Sequence, residues 1–508
     1  MKNVFLLLLL ISVLPAIAQK TKVKTANGLL EGVTEASGIR SYKGIPFAQP
    51  PVGDLRWKAP QSPKNWTGVR KADKFGPQAM QKFIFSDMVF RSDGKSEDCL
   101  YLNVWTPAKK GNEKLPVLVY FYGGGFVAGD GSELRYDGEN MAKKGIVSIT
   151  VNYRLGVFGF MAHPELTAES PNHASGNYGL LDQHAALEWV KKNIAAFGGD
   201  PSKVTIAGES AGSMSVSAQM ASPLSKGLFR GAICQSGAIL GNLTPMPHDQ
   251  AEQLGVKFAT TAGAANLADL RKLSADKLLE LSAGGRFAHS IDGYFLTEKP
   301  ENTFTTGKQM DVALMAGWTS AEVGFQGLLG NHPPTLSVYK DAIQTLYEGN
   351  APRMLEAYPA TTDDEVIKAA TELASDRFIA YSTWKIVDMH SKSSKKNVYR
   401  YLFSQKRPDT TQVLVGAPHA SDIEYSLGNL PLVTTFKWTP ADYKASQITQ
   451  DYFANFIKTG DPNGTGLPVW NEVKSGKPPV QVLSAQTVAN PDDTAKRYAL
   501  LDELNAKK

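Results

Sequence analysis

A chain of 508 residues with 42% hydrophobic content can bury a large core, and its length alone is compatible with two to four domains. The formal net charge of +5 is small for this size, and lysines and arginines are spread along the chain, which excludes a nucleic-acid-binding footprint. Beyond the first residues no segment is apolar enough for a membrane span, so the mature chain is expected to be soluble.

The N-terminus carries Lys2, an apolar run from Val4 to Leu14, and Ala16-Ile17-Ala18 ahead of Gln19. This reads as a signal peptide over 1–18, cleaved after Ala18, with export of residues 19–508 to the periplasm or the exterior. No cysteine follows the cleavage site, so no lipid anchor is expected there. The two cysteines, Cys99 and Cys234, could pair in an oxidising compartment. Cys234, however, sits in the apolar run Gly231 to Gln235, which reads as an interior strand where a free thiol behaves as a small hydrophobe.

From Thr21 to Tyr42 the pattern is strand, Asn27-Gly28 turn, strand: an antiparallel hairpin at a sheet edge. The prolines between Tyr42 and Pro60 predict an irregular packed loop, followed by an alternating strand over Glu97 to Trp105. Leu115 to Phe121 is an apolar strand that ends in Tyr122-Gly123-Gly124-Gly125-Phe126. Three glycines after a buried strand let the backbone approach a ligand and turn its N–H groups inward. In an acyl-transfer enzyme Gly124 and Gly125 would be oxyanion donors; no Lys-Ser/Thr follows, which excludes a phosphate-binding P-loop.

Ile146 to Asn152 reads as a buried strand and Leu180 to Ala196 as an amphipathic helix closed by Gly198 and Gly199. Val204 to Ala207 is a short β-branched run leading into Gly208-Glu209-Ser210-Ala211-Gly212. A G-x-S-x-G between a strand and a helix is a nucleophile-elbow pattern: the turn strains the serine backbone, and side chains two residues either side would collide. Ser213 to Met220 contains neither Gly nor Pro and can start the helix, whose dipole and free Ala211 N–H would face charge developing beside Ser210.

Gly231 to Ser236 and Val312 to Ala316 are further strands, Asn397 to Phe403 a late one, Ile448 to Lys458 a helix, and Val480 to Leu483 a last short strand. Alternating strands and helices predict an α/β class, a doubly wound sheet covered on both faces, with the active site at the carboxyl ends of the strands. The helical patterns over 249–281 and 337–390 do not continue the sheet and are expected to wall a substrate cleft.

A serine nucleophile needs a base, and the base needs a carboxylate, in the order Ser, acid, His on such a sheet. Of the eight histidines, His248, His289, His332, His390 and His419 lie beyond Ser210. His419, in the loop Gly416-Ala417-Pro418-His419 after the late strand, is the best-placed base. Glu322, just past the strand Val312 to Ala316, is the candidate acid. Glu209 points the wrong way for a triad and is expected to act through its field.

The segments GESAGS, NYRLGVFGF, GNYGLLDQ, FGGDP, EDCLYLNVW, YKGIPFAQPPVGDLRW and TGDPNG together resemble the type-B carboxylesterase and cholinesterase-like family of α/β-hydrolases over nearly the whole mature chain. The resemblance implies one α/β-hydrolase domain over 19–508. It also implies Ser210 as nucleophile, Glu322 as acid, His419 as base, and oxyanion donors at Gly124, Gly125 and Ala211. Ion pairs Arg56 with Glu97 and Arg154 with Asp182 are implied too, as are Ser236 and Asp422 behind His419. No cofactor or metal is implied, and the partner is a small-molecule ester. Two departures stand out: Tyr122 replaces a histidine common before the triple glycine, and Ala79 stands where the family has a cysteine partner for the residue matching Cys99. The reading is a serine hydrolase of carboxylic esters working through an acyl-enzyme. The alternatives are an inactive binding protein of the same family, or a hydrolase of amides, thioesters or lactones.

Overall fold

The structure, a computed structural model, describes residues 20–408, 415–473, 480–490 and 494–506. The expected signal peptide over 1–18 lies outside the described residues.

Thirteen strands among the described residues form one sheet. In chain order they are β1 (Lys20–Lys24), β2 (Leu29–Thr34), β3 (Arg40–Pro46), β4 (Val69–Lys71), β5 (Tyr101–Thr106), β6 (Leu115–Phe121), β7 (Val147–Val151), β8 (Gly199–Glu209), β9 (Gly231–Gln235), β10 (Ala313–Thr319), β11 (Val398–Phe403), β12 (Val480–Leu483) and β13 (Val488–Asn490). Their spatial order is β1-β2-β3-β5-β7-β6-β8-β9-β10-β11-β12-β13, with β4 beside β2. From β7 to β12 every pairing is parallel, while the successive pairings through β1, β2, β3, β5 and β7 and that of the far edge β13 are antiparallel, and β4 lies parallel to β2. The parallel centre follows from composition: β7 and β9 are buried at every residue and β6 over its last five, so both faces must be covered.

Helices provide that cover. Tyr178–Asn193 and Ala211–Ala221 pack around β8, and Pro440–Thr459 sets Phe453 and Phe456 against Tyr401 and Tyr399 of β11. The helix Pro440–Thr459 begins earlier than the expected Ile448 because Thr439 and Asp442 form a reciprocal capping box with Pro440 in the first turn.

Strand boundaries shift for similar local reasons. β10 runs on to Thr319, beyond the expected Ala316, because Gly317, Trp318 and Thr319 pair with Tyr401, Leu402 and Phe403. A Cβ on Gly317 would lie 2.3 Å from the Tyr401 ring, so the glycine is what lets the strand continue. β3 extends to Pro46, inside the stretch read as irregular, and a 3₁₀ turn at Gly53–Leu55 breaks the remainder.

The two helical stretches do not behave alike. Over 249–281 the chain forms His248–Thr261, Leu267–Lys272 and Ala275–Leu281. In the second stretch, helices Leu336–Tyr347, Ala351–Ala357 and Asp363–Ser375 build a separate apolar core with the helix Ala495–Ala506 around Tyr339, Tyr358 and Tyr498. The last helix, Tyr381–Ser393, packs on β10 and β11, so this stretch holds a helix laid on the sheet as well as the helices of the separate core.

Candidate active site

β8 delivers the elbow. Ser210 leaves the strand at φ 57° and ψ −121°, a conformation that costs a non-glycine residue energy, and the helix Ala211–Ala221 starts immediately after it. The flanking glycines are obligatory: a Cβ on Gly212 would sit 2.0 Å from the Phe121 carbonyl oxygen, and one on Gly208 would sit 2.4 Å from the Gly212 carbonyl carbon. The Ser210 N–H donates to the Gln235 carbonyl of β9 at 2.9 Å, tying the strained turn to the sheet.

The glycine turn after β6 wraps the same place. A Cβ on Gly123 would fall 3.1 Å from the Ser210 Cβ, so turn and serine are in near contact. Gly124, Gly125 and Phe126 all have positive φ, at 105°, 63° and 62°, and the Gly124 carbonyl accepts from Val127 and Ala128. The first helical residue, Ala211, has an N–H with no partner inside its helix. Tyr122, the departure before the glycines, stacks on Tyr153 at 4.3 Å, and the two phenols donate to each other's carbonyls. That reciprocal clamp fixes the start of the turn.

Two further loops meet at the serine. The Ala321 N–H donates to the Ala417 carbonyl and the Ala417 N–H to Ser320 Oγ, stitching the loop of Glu322 to the loop of His419. Gly416 makes this possible, since a Cβ there would lie 2.4 Å from Ser320 Oγ. His419 Nε2 is 3.0 Å from Ser210 Oγ, and its Nδ1 is 2.5 Å from Glu322 Oε2. With the carboxylate accepting from Nδ1–H, Nε2 is left to accept the serine proton. Glu322 is itself held: Ser236 Oγ–H donates to its Oε1 at 2.6 Å and the Thr319 N–H at 2.7 Å. Ser210, Glu322 and His419 are thus one hydrogen-bonded chain, built from three loops at the carboxyl ends of β8, β10 and β11.

The surrounding residues differ in part from expectation. Glu209 does not point away: its Oε1 lies 3.1 Å from His419 Nε2. Ser236 reaches Glu322 rather than His419. Asp422 is fixed by Gln235 Nε2 and the Tyr401 hydroxyl, each at 3.0 Å, and acts on the imidazole by charge. Burial pulls the His419 imidazole down, but the carboxylates of Glu209 and Glu322 outweigh it, so its net pKa is raised. Burial drives the Glu209 carboxyl up, against the pull of His419. Asp422 is pushed to about 6, by burial first and by the charge of Glu322, against its hydrogen bonds to Gln235 and Tyr401.

Phe378 was not singled out in the sequence. It sits in a one-turn π segment, Asp376–Ala380, and its ring meets the His419 ring edge-on at 5.1 Å. The other candidate bases are elsewhere: the His390 ring contacts the Val312 carbonyl and Gln309, His248 contacts Thr167, and His289 packs on Phe126. Both ion pairs implied by the resemblance are present, bidentate, with Arg56 on Glu97 at 2.6 Å and Arg154 on Asp182 at 2.7 and 2.8 Å. Cys99 and Cys234 are free and buried. Among the described residues no group of three or more His, Cys, Asp or Glu is placed to hold a metal ion, and no helix is long and apolar enough to cross a membrane.

A large, mostly parallel sheet with a strained serine at a strand-to-helix elbow defines an α/β-hydrolase fold. Residues 19–500 match the model of the carboxylesterase family, and the chain belongs to that family. It is similar to the fumonisin B1 esterase of Sphingopyxis macrogoltabida, 37% identical over 69% of this chain and 65% of that protein. It is 33% identical to the para-nitrobenzyl esterase of Bacillus subtilis, over 94% of this chain and 98% of that one. With the human bile salt-activated lipase it shares 34% identity, over 87% of this chain and 63% of the lipase. The reaction class is carboxylic ester hydrolysis.

Proposed function

We propose that the chain cleaves carboxylic esters by a Ser-His-Glu triad through an acyl-enzyme, with Ser210 as nucleophile, His419 as base and acid, and Glu322 as the group that orients and stabilises the imidazolium. The observation that carries this reading is the continuous chain Ser210 Oγ, His419 Nε2, His419 Nδ1, Glu322 Oε2 at a strained elbow. Ser210 Oγ attacks the ester carbonyl carbon while its proton passes to Nε2. The resulting oxyanion is met by the N–H groups of Gly124, Gly125 and Ala211, each donor of this kind being worth about 10²–10³ in rate. The tetrahedral adduct collapses, the C–O bond to the alcohol breaks, and Nε2–H protonates the departing alkoxide. Water then adds to the acyl-serine with Nε2 taking its proton. The second adduct releases the carboxylic acid, and the proton returns to Ser210. A fluorophosphonate probe should modify Ser210 alone, and Ser210→Ala should lose both labelling and turnover; turnover retained in that variant overturns the assignment.

The chain is further read as exported, with residues 1–18 removed. N-terminal sequencing of the protein recovered from a secreting host should start at Gln19, and a start at Met1 in exported material refutes this.

A further inference from the structure

A two-lobed trough runs between the proline strap 59–63 and the helix Tyr178–Asn193, and none of Ser210, Glu322 and His419 lines it. The larger lobe has a volume of about 630 Å³ and the smaller about 200 Å³, and the two meet at Gln61, Leu181 and Tyr294. The larger lobe alone has the size of a small-molecule site. Its outer wall is fixed: the Gln49 N–H donates to the Gln61 carbonyl at 2.8 Å, and Asn27 Nδ2 donates to the Pro63 carbonyl at 3.0 Å. The trough is thus built into the fold.

Its lining carries polar groups that the chain itself does not use. Trp189, only 4% exposed, lines the larger lobe, and its indole N–H is buried with no hydrogen-bond partner among the described residues. A buried donor without an acceptor costs stability, which points to an acceptor that comes from outside the chain. Further along the same helix, Glu188, Lys191 and Lys192 are exposed and line the lobe. The glutamate stands three and four places before the lysines, the spacing at which helix ion pairs close. Among the described residues, however, these three make no ion pair. Tyr294, at the junction of the lobes, is half-buried, and its hydroxyl makes no hydrogen bond among the described residues.

These groups select the ligand. Pro60 and Pro63 have no N–H, and the Gln61 and Pro63 carbonyls are already taken, so an extended peptide finds no backbone ladder along the strap. A fatty chain would cover Glu188 and the two lysines without offering them a partner. A ring with an apolar C–H face and hydroxyls at its edge uses everything present. The Tyr294 ring supplies apolar area, the Glu188 carboxylate accepts from hydroxyls, and the lysines, the Gln61 amide and the Trp189 indole donate to them. We propose that the trough is a binding site for a saccharide chain, separate from the triad.

The probes are xylohexaose, cellohexaose, mannohexaose and hexagalacturonate, each titrated by calorimetry into wild type, Glu188→Ala, Tyr294→Ala and Ser210→Ala. At least one probe should bind wild type with a Kd below about 1 mM. Glu188→Ala and Tyr294→Ala should each weaken that probe by about ten-fold or more, since each removes a group that meets the ligand. Both should keep kcat/KM on para-nitrophenyl butyrate within about two-fold of wild type. Glu188 is exposed, so its variant tests the site even where Tyr294→Ala disturbs packing. Ser210→Ala should bind the same probe with unchanged affinity, which separates the trough from the cleft at the nucleophile. The proposal is overturned if no probe binds at millimolar concentration, if binding survives both trough variants, if it is lost in Ser210→Ala, or if a proline-rich peptide binds through Glu188 where no saccharide does.

Discussion

Glu209 Oε1 stands 3.1 Å from His419 Nε2, the same nitrogen that lies 3.0 Å from Ser210 Oγ. The imidazole therefore has a carboxylate at each end, Glu322 on Nδ1 and Glu209 beside Nε2. An ionised Glu209 stabilises the imidazolium that forms when the serine attacks, and it also stabilises that form in the resting enzyme, where a protonated Nε2 cannot accept the serine proton. The same charge thus helps the transition state and raises the pH at which the base becomes available.

Glu209→Gln removes that charge while keeping the volume. The His419 pKa, raised by the two carboxylates, should fall, and the acid limb of kcat/KM should move to lower pH by about one unit or more. The plateau rate should fall at the same time, because the imidazolium of the transition state loses a partner. A pH profile of both forms on one soluble ester decides this, and an unmoved limb means that Glu209 is not ionised beside the histidine.

Glu322→Gln keeps the shape but cannot accept from Nδ1–H while holding a negative charge. Loss of orientation and of charge stabilisation together should lower kcat by about 10³–10⁴, as for a triad acid. It should cost no more than His419→Ala, since the carboxylate acts only through the ring. Near-full activity in Glu322→Gln would redirect the search to Asp422.

Asp182→Asn should destabilise the fold. Arg154 and Asp182 are almost wholly buried, and the pair also receives the Arg154 backbone N–H, so the variant leaves a guanidinium without its charge partner. The expected loss is about 3–5 kcal/mol, read from denaturant unfolding with Ser210 labelling as the check on the folded site. Replacing both members by apolar residues should cost less than replacing one.

Thiol titration should find both cysteines unmodified in the native protein and both reactive after unfolding without reductant. Cys99 and Cys234 are buried, and burial raises both thiols, Cys234 to about 12, so neither presents a thiolate. A linked Cys99–Cys234 peptide would contradict the placement of Cys234 in β9.

What the amino-acid order determines here is what depends on near neighbours. The elbow glycines are dictated by contacts within a few residues of Ser210 and with the adjoining strand end. The buried parallel strands announce themselves by apolar β-branched runs, and motif order along such a sheet singles out Glu322 and His419. Even the long capped helix at Thr439 was legible, in its Thr-Pro-Ala-Asp start, although the expected helix began later. What only the tertiary structure decided is which side chains turn toward one another across large separations. Ser210 and His419 are 209 residues apart, and His419 and Glu322 are 97 apart. The reach of Glu209 back to Nε2, the turn of Ser236 toward Glu322 and the ring of Phe378 on His419 have no local signature. Each depends on loop paths fixed by packing elsewhere, such as the stitching of the Ala321 and Ala417 loops and the π turn at Asp376. A glutamate, a serine and a phenylalanine carry the same intrinsic chemistry wherever the chain places them. Their roles here come from distance and burial, which arise only when the strands are set side by side.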